Sequence, residues 1–288
     1  FTEVFDYVLI DGDGDTSPAS LTIRLNGAND DVTINGLDGA APEVVLDEDD
    51  LATLGDDQGS DQTDPLTVGG SFGVSAPDGL ASVQVNGVSV VTGGVFAGPV
   101  TVINNGIYTV AITGWTPVFA ADGVTVISAT FTYSATLLDN SLAHDLPGQD
   151  DILAMLGVSA SDTDGSSDSA SLDVQIIDDV PDAADDTDSL SEGGPVSASG
   201  NVITDAEGDG GADVTGADGG AVETPGSFAG TYGTLVLGAD GSYTYTLSAF
   251  GISQLSTLGD GEFFTEVFDY VLIDGDGDTS PASLTIRL

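Results

Sequence analysis

The sequence predicts an all-β protein made of tandem β-sandwich domains. Short runs rich in Val, Thr, Ile and Leu recur along the chain, and many of them alternate apolar with small polar residues. The turns between these runs are rich in glycine, of which the chain has 40. Regularly spaced strands with glycine-rich turns are typical of sandwiches. A length of 288 residues suffices for about two such domains.

Individual elements can be placed from local patterns. Two alternating runs flank Asn86-Gly87, a pair that suits the type I′ turn of a β-hairpin. In Ser242–Leu247 the alternation puts both tyrosines and the leucine on one face of a strand. Only two segments, Ile152–Leu156 and Ala249–Leu255, indicate short helical turns.

The chain is strongly acidic. It has 48 Asp and Glu against two basic residues, Arg24 and Arg287, and its formal net charge is -46. Nothing in it neutralises phosphates, which excludes nucleic acid and an anionic membrane surface as partners. Cys is absent, which excludes disulfides and zinc–thiolate sites. The 40% hydrophobic content and a mean hydropathy of +0.17 argue against a disordered chain.

No segment is predicted to insert directly into a membrane. The least charged stretch, Gly79–Ala121, is interrupted by glycines and is rich in Ser and Thr. No signal peptide is visible. Because the chain begins and ends on strand-like sequence, we expect it to be part of something longer.

An internal repeat sets the organisation. Residues Phe1–Leu25 recur letter for letter as Phe264–Leu288, 263 residues later, which indicates a tandem array. The alternative is an artificial duplication of a chain end. A weaker repeat aligns Val8–Leu25 with Ser159–Ile176. The predicted domains are therefore 1–27, the final strands of a truncated preceding repeat, and two complete sandwiches at 28–180 and 181–288.

Three Asp-Gly loops are candidate calcium sites. Ca²⁺ binds six to eight oxygens, and alternating Asp residues in a tight turn direct carboxylates at one centre. Residue twelve of the first loop is Thr22 and not Glu, so the loop is not an EF-hand. The alternative is a solvated turn. The predicted ligands are Asp11, Asp13 and Asp15, their copies Asp274, Asp276 and Asp278, and the related Asp162, Asp164 and Asp168.

The acidic linkers are a second candidate. Two carboxylates 4 Å apart repel by about 4 kcal/mol at an effective dielectric near 20, so pairs such as Asp178-Asp179 and Asp185-Asp186 call for a cation. With almost no basic residues, that cation must come from solution. The alternative is a flexible acidic hinge. The predicted ligands are Asn29, Asp30 and Asp31, then Asp178, Asp179 and Asp182, with Glu48 and Glu192 as donors from the domains.

Catalysis finds little support, and we expect no enzyme. His144 is the single histidine, and we interpret it as a packing or loop residue. The one G-x-S-x-G match, around Ser71, lacks the helix that a nucleophile elbow requires. A ligand-binding module remains the alternative function, with a glycan on the uncharged face of the middle domain around Trp115.

Three runs of the sequence carry a family resemblance: YVLIDGDGDTSPASLTIRLNGAND, DDVPDAADD and LGADGSYTYTL. Through them the chain resembles the repeat region of giant bacterial RTX-type adhesins exported by type I secretion. Residues 182–288 resemble the VCBS-type cadherin-like repeat through ADDTDSLSEGG and GNVITDAEGD. Residues 30–179 resemble the 143-residue type I secretion repeat through VQVNGVSV, YTVAITGW and LLDNSLAH.

The resemblance implies Ig-like or cadherin-like sandwiches joined by acidic calcium-binding linkers. It implies a structural extender of a cell-surface adhesin, which holds an adhesive domain away from the bacterium for attachment or biofilm formation. The implied location is extracellular, with several Ca²⁺ ions bound. The sequence departs from the pattern of the family in two places. Ser166 replaces the third Asp of the loop in the middle domain, and the GGxGxD run of the RTX C-terminal end is absent.

The expected partners are neighbouring repeats of the same adhesin. The first 25 residues expose an apolar face and equal the C-terminal copy. We therefore expect that they are able to pair into a neighbouring molecule as swapped strands.

Overall fold

The structure is a computed structural model of the whole chain. The residues it describes are 1–37, 39–51, 65–141, 144, 148–149, 151–205 and 211–288. The sequence predicts a long surface loop at Asp47–Pro65, and residues 52–64 of it lie outside the described residues.

The chain begins with an isolated hairpin of β1 (Thr2–Ile10) and β2 (Thr16–Arg24). Every residue of both strands is exposed to solvent. The identical sequence forms the last two strands of the chain, where its inward-facing residues Tyr270, Leu272, Leu284 and Ile286 are buried. One sequence therefore forms the same hairpin in two environments.

The first sandwich follows. Its strands are β3 (Thr33–Asn35), β4 (Val44–Asp47), β5 (Thr67–Ser75), β6 (Leu80–Val85), β7 (Val88–Thr92), β8 (Val95–Phe96), β9 (Val100–Asn104), β10 (Tyr108–Phe119), β11 (Val126–Leu137), β12 (Asp151–Asp162) and β13 (Ser167–Ile177). A five-stranded sheet has the order β3-β5-β11-β10-β9, and a six-stranded sheet has the order β4-β13-β12-β6-β7-β8. All pairs are antiparallel except β4 with the final strand β13.

The core of this sandwich takes side chains from both sheets. Phe72 and Phe131 stack with their ring centroids 5.2 Å apart, and both are fully buried. Val83, Leu172 and Val174 of the six-stranded sheet belong to the same apolar cluster. Burial of these side chains holds the two sheets face to face.

The second sandwich is smaller. Its strands are β14 (Asp186–Ser189), β15 (Ser197–Asn201), β16 (Gly220–Val222), β17 (Gly226–Ala229), β18 (Gly233–Leu237), β19 (Ser242–Leu247), β20 (Thr265–Asp274) and β21 (Thr279–Arg287), with one helix α1 (Ala249–Leu255). Its two four-stranded sheets have the orders β14-β21-β20-β16 and β15-β19-β18-β17. The first strand again pairs in parallel with the last.

The predicted all-β fold class of tandem sandwiches is confirmed. Val85 pairs with Val88 around Asn86-Gly87, both of which have positive φ as the predicted turn requires. The predicted helical turn at 249–255 is α1. The helical prediction for Ile152–Leu156 is wrong, because the segment lies in β12 and pairs along its length with β13.

The helix is capped by its sequence. The Ser248 hydroxyl accepts the amide hydrogen of Gly251, which satisfies one of the free donors of the first turn. Among the described residues, no helix has the length and apolar character needed to cross a membrane.

Candidate metal centre

Each Asp-Gly loop is closed in the same way by its first aspartate. In the last loop, Asp274 Oδ1 accepts the amide hydrogens of Gly277 and Asp278 at 2.9 and 2.7 Å. In the middle loop, Asp162 Oδ1 accepts those of Gly165 and Ser166 at 2.9 and 2.8 Å. One oxygen therefore holds the turn, and the described residues offer no donor to Oδ2 of either aspartate. That second oxygen is available to a cation.

Three groups of ligand atoms meet where the first sandwich ends and the second begins. Within each group the atoms lie within 4.8 Å of one another. The groups are Glu48, His144 and Asp178; Asp178, Asp218 and Asp276; and Asp274, Asp276 and Asp278. Asp178 and Asp276 each belong to two groups, so shared carboxylates connect the end of the first sandwich to the last loop of the second.

Strand pairing explains how Glu48 reaches the linker. Asp47, the last residue of β4, is paired with Ile177, the last residue of β13. The next residues, Glu48 and Asp178, therefore leave the sheet side by side. The short 3₁₀ helix at Glu48–Asp50 begins there, and the Asp47 carboxylate accepts the Asp49 amide hydrogen at its start.

The segment after β11 positions two carboxylates of the second sandwich. The Asn140 side-chain amide donates to the Ala217 carbonyl oxygen at 2.6 Å and to Asp218 Oδ1 at 2.9 Å. The Gly148 amide donates to Asp278 Oδ1 at 2.5 Å. These contacts fix carboxylates of one sandwich from the backbone and side chains of the other.

The junction contains buried carboxylate oxygens without donors. Both oxygens of Glu48, Asp178 and Asp276 accept no hydrogen bond within the described part of the chain. Burial raises the pKa of Glu48 to about 9, and the carboxylates of Asp218, Asp178 and Asp276 add to the effect. Burial likewise raises the pKa of Asp178 to about 8, with contributions from Asp276 and Asp278. A buried carboxylate requires a partner charge or a proton.

Neither arginine supplies that charge. Arg24 lies in the N-terminal hairpin, opposite Thr2. The guanidinium of Arg287 lies 4.2 Å from the ring centroid of Phe263, at the opposite end of β21 from Asp278. The chain has no lysine. The junction carboxylates are thus suited to bind a cation from solution. Because Ca²⁺ prefers oxygen ligands, it fits this set of donors.

A second acidic site lies at the other end of the first sandwich. Asp78, Asp162 and Asp164 form one group there. The preceding linker joins them, because the Asp30 amide donates to Asp78 Oδ2 at 2.6 Å and the Ser166 hydroxyl donates to Asn29 Oδ1 at 2.9 Å. Ser166 stands where the other two loops have their third aspartate.

The remaining predicted ligands lie apart from these groups. Asp11, Asp13 and Asp15 form a group of their own, fully exposed at the tip of the isolated hairpin. Asp168 accepts the amide hydrogens of Ile34 and Ser169. Asp179 is buried in the linker beside Asp178, whereas Asp31, Asp182 and Glu192 are exposed, with Glu192 near Leu288 at the far end of the second sandwich.

The pair Asp185-Asp186 has hydrogen-bond donors from the second sandwich beside it. Asp185 Oδ1 accepts from the amide and the hydroxyl of Ser283. Asp186 Oδ2 lies 3.1 Å from the hydroxyl of Tyr270. Burial, with the nearby Asp213 carboxylate adding to it, still raises the pKa of Asp186 to about 7, so the expectation that this pair takes a cation stays a prediction.

Sequence reasoning missed Asp78, Asp218 and the role of His144. Both aspartates occur in single Asp-Gly turns, with Gly79 and Gly219 at positive φ. The sequence feature that these turns share is an Asp-Gly pair before a strand. The same pair occurs at many ordinary turns of this sequence, so it does not single out a metal ligand. His144 is buried, with Nε2 3.6 Å from Glu48 Oε1.

The alternative ligand surface is not favoured. Trp115 packs against Phe96 and Phe131, with ring centroids 5.4 and 6.0 Å away, and is partly buried with the core. Ser71 lies in the middle of β5 and not at a strand-to-helix turn.

Comparison with known proteins bears on the second sandwich. Residues 178–288 match the family model of the bacterial cadherin-like domain. Together with the sandwich architecture, this match supports the interpretation of the chain as part of a cadherin-like repeat region. Cadherin-like domains are extracellular structural and adhesive modules and not an enzyme family, and they generally bind Ca²⁺ at acidic linkers. No curated protein matches the chain.

Similar solved structures are also found. Protocadherin gamma C5 EC1-3 is 11% identical, with 100% of this chain and 77% of that chain covered and a TM-score of 0.29. The zebrafish RET cadherin-like domains 1 to 4 are 11% identical, with 100% and 58% covered and a TM-score of 0.30. Protocadherin gamma B2 domains 3-6 are 14% identical, with 99% and 56% covered and a TM-score of 0.29. This chain thus spans little more than half the length of the latter two.

Proposed function

We propose that this chain is a calcium-stiffened spacer from the repeat region of an extracellular bacterial adhesin. Its sandwiches hold an adhesive domain away from the cell surface, for attachment or biofilm formation. Its partners are neighbouring repeats of the same adhesin. The proposal takes the predicted domains 28–180 and 181–288 as the repeating units.

One observation carries the proposal. Buried carboxylates from the first sandwich, the linker and the second sandwich converge at one place, and six of their oxygens, two each on Glu48, Asp178 and Asp276, accept no hydrogen bond from the described residues. Like charges this close repel, so without a cation the arrangement is unfavourable. Ca²⁺ bound by Asp178, Asp218, Asp274, Asp276 and Asp278 converts this repulsion into a connection between the sandwiches.

The acidic composition fits an exported spacer. With a net charge of -46, the chain resists collapse wherever Ca²⁺ is scarce. Outside the cell, an ion that binds mainly to the native form stabilises that form by mass action. Calcium thereby couples folding and stiffness to the extracellular space.

A calcium titration tests the proposal. Small-angle scattering and thermal unfolding are followed from chelator to about 10 mM Ca²⁺, which covers weak extracellular sites. We expect repulsion between the carboxylates to loosen the junction in chelator, and the two sandwiches to form a stiff rod with Ca²⁺. Asp276→Asn should raise the Ca²⁺ concentration at the midpoint of the titration at least tenfold, because Asp276 belongs to two ligand groups.

Asp269→Asn is the matched control. It removes one carboxylate from an exposed position of the same hairpin, outside every ligand group. Its midpoint should equal that of the unmodified chain. A scattering profile and a melting temperature that do not change with Ca²⁺ would overturn the proposal.

A further inference from the structure

The first of the three junction groups differs from the others in its chemistry. The other two consist of carboxylates only, whereas this group combines Glu48 and Asp178 with an imidazole, His144. Among the groups that the described residues form at the junction, it alone has all three side chains buried. Their exposed fractions are 0%, 0% and 3% for Glu48, Asp178 and His144.

The ligand set selects a class of ion. Ca²⁺ and Mg²⁺ take oxygen ligands almost entirely. Imidazole nitrogen suits zinc and the other divalent transition ions, and zinc accepts one histidine with two carboxylates. The single histidine of the 288-residue chain thus lies beside two buried carboxylates, those of Glu48 and Asp178.

The geometry is that of ligands around an ion. His144 Nε2 lies 3.6 Å from Glu48 Oε1, which is too long for a hydrogen bond. Two ligands on a tetrahedral zinc ion, at bond lengths near 2.1 Å, stand about 3.4 Å apart. Neither oxygen of Glu48 or Asp178 has a donor among the described residues, so these carboxylates are open to a cation.

An ion pair between histidine and glutamate does not explain the arrangement. A protonated His144 would bring one positive charge to Glu48. Asp178 lies in the same group, and it also lies in a group with Asp218 and Asp276, so one charge faces several carboxylates. A divalent ion bound to neutral imidazole brings two charges and uses the nitrogen lone pair. It also gives each of the buried carboxylates a partner.

We propose that Glu48, His144 and Asp178 form a binding site for a divalent transition ion of the zinc class, next to the calcium positions. Asp178 lies between the two kinds of site, because it belongs to the all-carboxylate group as well. Each of its two oxygens is available to one ion. Glu48, although the sequence predicts it as a calcium donor, belongs with His144 to neither all-carboxylate group, so this inference does not rest on the calcium proposal.

The test measures zinc binding while the carboxylate sites are saturated with calcium. The whole chain is stripped with chelator and dialysed into about 10 mM Ca²⁺, then titrated with Zn²⁺ by calorimetry and with Co²⁺ by visible absorption. We expect one equivalent of Zn²⁺ to bind, and the Co²⁺ spectrum to show low-symmetry coordination with a nitrogen ligand. His144→Gln should weaken Zn²⁺ binding by at least about 100-fold and leave the Ca²⁺ midpoint unchanged.

Matched variants separate this inference from the calcium proposal. Asp276→Asn should shift the Ca²⁺ midpoint but leave the Zn²⁺ stoichiometry at one. If His144→Gln does not fold, as judged by its melting temperature in Ca²⁺, then Glu48→Gln replaces it and should show the same loss of Zn²⁺ binding.

The possible results are distinguishable. If Zn²⁺ does not bind in excess Ca²⁺, or binds equally to the His144 and Glu48 variants, the zinc-class site is overturned whatever the calcium response. If Zn²⁺ binds but Ca²⁺ changes neither shape nor stability, the spacer proposal fails and the zinc-class site stands.

Discussion

A Cβ atom on Gly216 would lie 2.3 Å from the backbone carbonyl oxygen of Asp179. The segment that carries Asp218 thus packs directly on the linker between the two sandwiches. Its neighbour Ala217 is fully buried in the core of the first sandwich. An isolated β-bridge between Asp182 and Val214 fastens the same segment to the linker a second time. These backbone contacts therefore place the segment that carries Asp218 against the linker.

Gly216→Ala should weaken the calcium response and lower stability. Its φ of +75° disfavours alanine, and the new methyl group would collide with the Asp179 carbonyl. We expect a loss of at least about 2–3 kcal/mol and a higher Ca²⁺ midpoint. Gly219→Ala is the control, since it has a φ of +71° but no atom within 4 Å of the added carbon. Thermal unfolding at several Ca²⁺ concentrations compares the two, and equal losses would contradict the packing argument.

Leu9→Ala and Leu272→Ala should differ widely, although the surrounding sequence is identical. Leu9 is 62% exposed in the isolated hairpin, whereas Leu272 is 0% exposed in the second core. We expect Leu272→Ala to cost about 2–5 kcal/mol and Leu9→Ala about 0.5 kcal/mol or less. Denaturant unfolding of the chain at low and at high protein concentration measures both. A comparable loss from Leu9→Ala would show that the hairpin is buried against another chain, as strand swapping requires.

The strands and the Asp-Gly loops were predictable because their signals are local. Tyr243, Tyr245 and Leu247 share one face of the strand Ser242–Leu247, as predicted, and the structure buries that face in the core. The alternating carboxylates of Asp274, Asp276 and Asp278 do form one group. The prediction of a helical turn at 152–156 failed because pairing with β13 outweighs the weak helix propensity of a short apolar run.

The composition of the junction was not predictable, because it depends on contacts between distant residues. Glu48 meets Asp178 only through the parallel register of β4 and β13. Asp218 joins them because Asn140, far away in sequence, holds it across the junction. No sequence motif around His144 indicates which residue it contacts. Its position beside Glu48 is visible only in the three-dimensional structure.

In chelator, the stability of the chain should fall as the pH rises from about 5 to about 8. Burial, with neighbouring carboxylates adding to it, raises the pKa of Glu48 to about 9 and that of Asp178 to about 8, from ordinary values of 4.5 and 3.8. Across this window the folded state keeps protons that the unfolded chain has lost, so raising the pH favours unfolding. The slope is at most about 1.4 kcal/mol per pH unit for each such group.

Calcium should remove this pH dependence, because the bound ion replaces the protons. Melting temperatures at four pH values, with chelator and with about 10 mM Ca²⁺, measure the effect. Glu48→Gln should flatten the chelator profile, since glutamine does not titrate. A chelator profile that rises with pH would contradict the assignment of buried protonated carboxylates to the junction.

Tyr245→Phe should destabilise the second sandwich more than Tyr243→Phe does. The Tyr245 hydroxyl donates to Glu266 Oε2 in a buried position, and the Tyr232 amide occupies Oε1. Loss of the hydroxyl leaves a buried carboxylate oxygen without its donor, at a cost of about 1–3 kcal/mol. Tyr243, two residues earlier on the same strand face, donates to Asp188, which is only half-buried, so water is able to replace its hydroxyl. Calorimetry in saturating Ca²⁺ compares the variants, and a Tyr243→Phe loss equal to that of Tyr245→Phe would show that burial of the acceptor does not set the cost.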